Sequence, residues 1–163
     1  MIEDTLYINQ IRRLKTISQS NKENIEVWVL DPHSGGVKIP KRLQPKIKER
    51  ILAYAQENYG EHFIRLDIRF RSQFCYINAY KEPSIPDGFP PPEYPETKEK
   101  YIEKLRNDPI KLCRIRYFIE NRWSFSYFSY SNMQYEPSVL DNGTFFGTLE
   151  EAFESSTMHL TNG

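Results

Sequence analysis

The sequence predicts an α+β fold. An antiparallel sheet of about five or six strands packs on one main helix over residues 40–59, flanked by an N-terminal helix and a short C-terminal helix. Three observations carry this. Residues 112–130 read as two adjacent aromatic-laden strands with three arginines, Arg114, Arg116 and Arg122. Residues 63–71 alternate cleanly, Ile64, Leu66, Ile68 and Phe70 facing one way and Arg65, Asp67, Arg69 and Arg71 the other. Residues 40–59 set Leu43, Ile47, Ile51, Tyr54, Ala55 and Tyr59 in one apolar stripe, with Pro40 near the start and Gly60 just beyond the end.

The remaining elements follow in order. Tyr7, Ile11, Leu14 and Ile17 recur at helical spacing over 3–18, and Ile25 to Leu30 reads as a short strand. Asp31-Pro32-His33-Ser34-Gly35-Gly36 breaks the chain as a turn. Pro45 lies in the first turns of helix 40–59, so the helix proper is expected from Leu43 or Gln44. Ser72-Gln73 turns the chain into a second strand over 74–81, with Cys75, Ile77 and Ala79 on one side and Phe74, Tyr76, Asn78 and Tyr80 on the other. Six prolines between 83 and 97 remove ladder donors, so that stretch is expected as an irregular surface loop inside a single 1–163 domain. A short helix over 97–106 stops at Asn107-Asp108-Pro109. Strands 111–119, 122–131 and 133–140 follow, Asp141-Asn142-Gly143 makes a tight turn, and Thr144 to Phe146 gives a last short strand. Thr148 and Glu151 form a capping box for a helix that turns Leu149, Ala152 and Phe153 inward; the tail after Ser155 is expected to fray.

Arg116-Tyr117, Trp123, Tyr127, Tyr135-Glu136-Pro137 and Glu150-Glu151-Ala152 together resemble a group of small uncharacterised bacterial, especially cyanobacterial, proteins. The resemblance is strongest over 111–154 and looser through Asp31–Tyr80, at Gly35–Pro40 and Phe70–Cys75. It implies an antiparallel sheet with helices and no assigned activity, and it carries over no catalytic residue. Some similar proteins have a second Trp and a basic residue before Tyr-Glu-Pro, where this chain has Met133-Gln134.

Composition narrows the function classes. A mean hydropathy of −0.67 and the absence of any apolar run near ~20 residues argue against membrane spans. The opening Met1-Ile2-Glu3-Asp4-Thr5 has no basic stretch leading into an apolar one, and Cys75 and Cys113 lie within strand-like runs. A cytoplasmic protein with reduced cysteines is therefore expected. Net charge is +0, yet residues 1–81 carry 14 basic against 9 acidic side chains and residues 82–163 carry 8 against 13. The balance argues against strong non-specific nucleic-acid binding, and the asymmetry permits self-association or pairing of the halves.

Catalytic and metal chemistry find little footing. His33, His62 and His159 are far apart, with no metal-ligand spacing among them or the cysteines, so neither metal nor cofactor is expected. Asp31-Pro32-His33-Ser34 sets an acid, a base and a hydroxyl in consecutive positions, which cannot converge as a triad and reads as a polar turn. The constellation that remains is an arginine–tyrosine sheet face. Parity places Arg65, Arg69 and Arg71 opposite the apolar side, with Tyr76 and Tyr80 beside them, and Arg114 and Arg116 on the same wet face if Cys113, Ile115 and Tyr117 are core. Such a face suits a protein interface, where Tyr and Arg are enriched, or the stacking of single-stranded bases between phosphate contacts. A plain solvated face has the same pattern. The expectation is a non-enzymatic protein-interaction module with a protein partner or a second copy; weak single-stranded nucleic-acid binding is the alternative and an unassigned enzyme the third.

Overall fold

The computed structural model describes residues 31–161. The expected helix 3–18 and strand 25–30 lie outside the described residues. Five strands form one antiparallel meander in the order β1 (Arg65–Arg71), β2 (Phe74–Tyr80), β3 (Ile110–Ile119), β4 (Arg122–Ser129) and β5 (Gln134–Ser138). Among the described residues four α-helices accompany them: α1 (Gln44–Tyr59), α2 (Lys98–Arg106), α3 (Leu149–Glu154) and α4 (Met158–Thr161). The fold is α+β, with one main helix and short C-terminal helices.

Local chemistry sets the boundaries. A 3-10 turn at Lys41–Leu43 leads into α1, and Pro45 sits in the first turn of α1, where its missing N–H costs no hydrogen bond. Ile47, Ile51 and Ala55, one turn apart, bury the inner stripe of α1. Ser72 and Asn121 take left-handed backbone in the two-residue connections β1–β2 and β3–β4. The proline-rich stretch contains no strand, and its ordered part is an aromatic trio in which Phe89 and Tyr94 pack edge-on against Tyr101 of α2 at 5.4 and 5.3 Å.

The core lies between α1, α3, α4 and one face of the sheet. Ile68, Cys75, Ile77, Cys113, Ile115, Tyr117, Trp123 and Phe125 supply the sheet side; Ile47, Ile51, Ala55, Leu149, Ala152, Phe153 and Leu160 supply the helical side. β3 is central and buried on both faces from Leu112 to Ile119. Polar clasps lock the helices. The Arg50 guanidinium donates to both Glu150 carboxylate oxygens at 3.0 and 2.7 Å, and Glu154 accepts from the phenols of Tyr54, at 2.6 Å, and Tyr59. Burial pushes the Glu150 carboxyl up, but the Arg50 guanidinium and the Glu150 backbone N–H together outweigh it and hold the group below its ordinary range.

Three expectations are corrected at the C-terminus. Thr144 to Phe146 is not a strand: the Asp141–Gly143 turn folds back on itself, Leu140 N–H donating to Thr144 C=O at 2.8 Å, and only Gly147 bridges Trp123. Residues 156–161 are not frayed. Ser156 and Leu160 are fully buried, α4 packs on β3, and Lys81 Nζ donates to the Leu160 carbonyl at 2.5 Å, a cation at a helix C-terminus. The third C-terminal strand is also shorter than 133–140, ending at Ser138, because Leu140 turns into the core.

Candidate functional site: the arginine–tyrosine face

Register decides which side chains share a face. Arg69 pairs with Tyr76 and Tyr76 with Arg114; Arg71 pairs with Phe74, Phe74 with Arg116, and Arg65 with Tyr80. On the far side Arg114 pairs with Ser126 and Arg116 with Ser124. Directly opposed residues point the same way. Arg65, Arg69, Arg71, Tyr76, Tyr80, Arg114 and Arg116 therefore stand on one face, opposite α1. Phe128 and Tyr135 continue that face: Tyr76 and Tyr135 meet at 5.5 Å, and Tyr135 and Phe128 at 5.0 Å.

Their environments differ sharply. Arg65, Arg69 and Arg71 are exposed on β1, and Tyr76 and Tyr80 are half-buried on β2. Arg114 and Arg116, expected to be wet, are buried at 7% and 3% exposure. The physical reason is a strap, Asp31 to Ile39, that crosses above β3 and wraps round the β1–β2 turn to reach α1. Arg114 Nη2 donates to the Pro32 carbonyl at 2.5 Å. Arg116 Nη1 donates to the carbonyls of Asp31, at 2.7 Å, and Ser34, while its Nε donates to Ser124 Oγ at 3.1 Å. The strap is then tied by Val37 N–H to Tyr117 C=O at 2.8 Å and Ile39 N–H to Ser72 C=O at 2.9 Å. Ser124 and Ser126 are small enough to leave room for the guanidiniums.

The aromatic partners are also occupied. Arg114 lies over the rings of Phe74, at 4.1 Å, and Tyr135, at 5.2 Å; Arg65 lies over Tyr80 at 3.7 Å. Lys111 covers Phe128 at 3.9 Å. These stacks take the ring faces that a base would need. Burial lowers the Arg116 guanidinium to about 10, with the Arg114 charge adding and Asp31 opposing, so Arg116 remains a cation at neutral pH. Burial first, then nearby ionisable groups, pushes the Tyr135 phenol up to about 12.

The Asp31–Gly36 turn has its own local logic. Asp31 Oδ1 accepts from the N–H groups of His33 and Ser34 at 2.8 and 3.2 Å, and the His33 N–H bond is the main cause holding that carboxyl below its ordinary range. Gly36 (φ +83°) lies so close to β3 that a Cβ there would stand 2.7 Å from the Tyr117 carbonyl oxygen. Gly36 thus serves close packing of the strap.

Sequence reasoning missed the strap and the tyrosine pair on Glu154. One signal for the first was present: Ser124 and Ser126 interrupt an aromatic strand at the positions that face Arg116 and Arg114. Tyr54 and Tyr59 were visible on the helix stripe, but their shared acceptor lies on α3, about a hundred residues away in the chain.

Among the described residues no group of three or more His, Cys, Asp or Glu is arranged to hold a metal ion, and no helix is long and apolar enough to cross a membrane. Cys75 and Cys113 are buried free thiols, both pushed up chiefly by burial. Comparison of the chain with protein-family models, with curated proteins and with solved structures finds no match.

Proposed function

We propose that the protein is a non-enzymatic protein-interaction module whose contact surface is the β1 side of the arginine–tyrosine face. The observation that carries this is the division of labour among the arginines. Arg114 and Arg116 are spent on holding the strap, and their ring partners are covered. Arg65, Arg69 and Arg71 remain exposed beside the half-buried Tyr76 and Tyr80. A nucleic-acid platform needs free ring faces and several phosphate-reaching cations together. Protein interfaces are enriched in Arg and Tyr, which is what the exposed side of β1 and β2 offers on a rigid sheet.

Charge distribution favours a protein partner as well. The chain has +0 net charge, with the basic excess confined to residues 1–81. A second copy is a supported variant of the partner, since the acidic half of one molecule complements the basic half of another. The test pairs two measurements on the full chain. Fluorescence anisotropy with a labelled single strand at two salt concentrations is expected to show weak binding at physiological salt. Light scattering over a concentration series separates a second copy from a different partner. Tight, salt-sensitive binding of the strand by a monomer would overturn this reading in favour of the nucleic-acid alternative.

A further inference from the structure

β1 is the edge of the meander, and among the described residues it hydrogen-bonds to β2 alone. An edge strand turns every second N–H and C=O outward, a ready template for another strand. Its two sides differ. Above the edge stand Arg65, Arg69 and Arg71; among the described residues Arg65 and Arg71 have no carboxylate partner, and the Arg69–Asp67 pair at 2.8 Å leaves Arg69 75% exposed. Below the edge lie half-buried Leu66 and Phe70 and exposed Ile64, at 49%. Phe63, the neighbour of Ile64, also closes an open groove of about 580 Å³ on the outer side of α1, floored by Pro45, Leu52 and Ala53.

We propose that β1 is a docking edge for an extended segment of another protein in which acidic and apolar side chains alternate. The inference deepens, and rests on, the interaction-module reading. Strand addition satisfies the outward backbone groups. The period of two then carries the segment's acidic side chains to the arginine side and its apolar ones to Ile64, Leu66, Phe70 and the groove mouth. Cross-strand pairs of opposite charge are favourable, and like charges directly opposite are not. That rule selects the occupant: two β1 edges meeting antiparallel about Ile68 would pair Asp67 with Arg69 but still oppose Arg65 to Arg71, whereas an acidic segment complements all three arginines.

The test uses the intact protein and labelled peptides about eight residues long, the reach of one strand. One alternates Glu with Val. A second has the same composition scrambled, a third alternates Lys with Val, and a fourth is the first with N-methyl groups on alternate amides. The Glu/Val peptide is expected to bind, with at least about tenfold weaker binding for the scrambled and N-methylated forms. The triple variant Arg65→Glu, Arg69→Glu, Arg71→Glu, checked for folding by circular dichroism, is expected to lose the Glu/Val peptide and gain the Lys/Val one. Absence of binding up to about 1 mM, or equal binding by the scrambled and N-methylated peptides, would overturn strand addition. The broader reading is judged separately by the nucleic-acid titration, so the two failures are distinguishable.

Discussion

At the scale of single residues, the strap shows how the energetics divide. Gly36 combines left-handed backbone with a β3 contact that leaves no room for a methyl group. Gly36→Ala is expected to cost about 1–3 kcal/mol in chemical denaturation, from backbone strain together with the clash. Arg116 is a buried cation that donates to two strap carbonyls and a serine hydroxyl. Arg116→Leu removes the donors and leaves those acceptors dry, so a loss of about 1–3 kcal/mol is expected, with faster hydrogen exchange at Val37 and Ile39. Arg69→Ala, exposed and paired among the described residues with Asp67 on its own strand, is expected to change stability by less than about 0.5 kcal/mol. Stability thus separates the buried, strap-holding arginines from the exposed ones.

Elements carry the next set of consequences. Helix α3 is short and depends on its ends. Thr148 Oγ1 accepts from Glu151 N–H at 3.2 Å while Glu151 Oε1 accepts from Thr148 N–H at 3.2 Å. Thr148→Ala is expected to cost about 1 kcal/mol in thermal or chemical unfolding. The α1–α3 clasp predicts a pH dependence. The hydrogen bond to Glu154, then burial, raises the Tyr54 phenol; burial, then the same carboxylate, raises Tyr59. Both folded values lie above the ordinary 10.0, so the folded state holds protons that the unfolded chain has released. Their contribution is full below about pH 10 and is lost as pH rises through the folded values. Unfolding midpoints measured across the alkaline range should fall, and Tyr54→Phe should flatten that fall while lowering stability at neutral pH. Glu150 runs the other way: its folded value is lowered, so its share is full above the ordinary 4.5 and is lost as pH falls through the folded value.

For the molecule as a whole, burial predicts a gradient of protection. β3 is flanked on both sides and buried throughout its second half, while residues 83–97 contain no regular strand or helix. Native-state hydrogen exchange is expected to be slowest in β3 and β4 and fast at the few amides of the proline-rich loop. The meander also brings sequence neighbours together, each strand pairing with the next. Trp123, at 1% exposure beside Tyr117 at 5.1 Å, anchors the centre of that arrangement, and Trp123→Ala is expected to cost about 3–5 kcal/mol.

The sequence by itself determined the strands and the main helix, because period-2 alternation over 65–71 and the i, i+4, i+8 stripe of Ile47, Ile51 and Ala55 are local properties that burial only ratifies. Parity likewise placed the seven arginines and tyrosines on one side of the sheet, since side chains alternate strictly and the β2–β3 shift falls at Ile77/Asn78, outside the Tyr76–Arg114 and Phe74–Arg116 pairings. What it did not determine was which of them meet water. Exposure depends on what crosses above the sheet, and the Asp31–Ile39 strap reaches Arg114 and Arg116 from about eighty positions away. The buried C-terminal turn has the same origin: the position of residues 156–160 in the tail predicts fraying, but β3 and the Lys81 ammonium, distant in sequence, supply the contacts that hold them. Periodicity is written in neighbours; solvent exposure is decided by partners brought together only when the chain has folded.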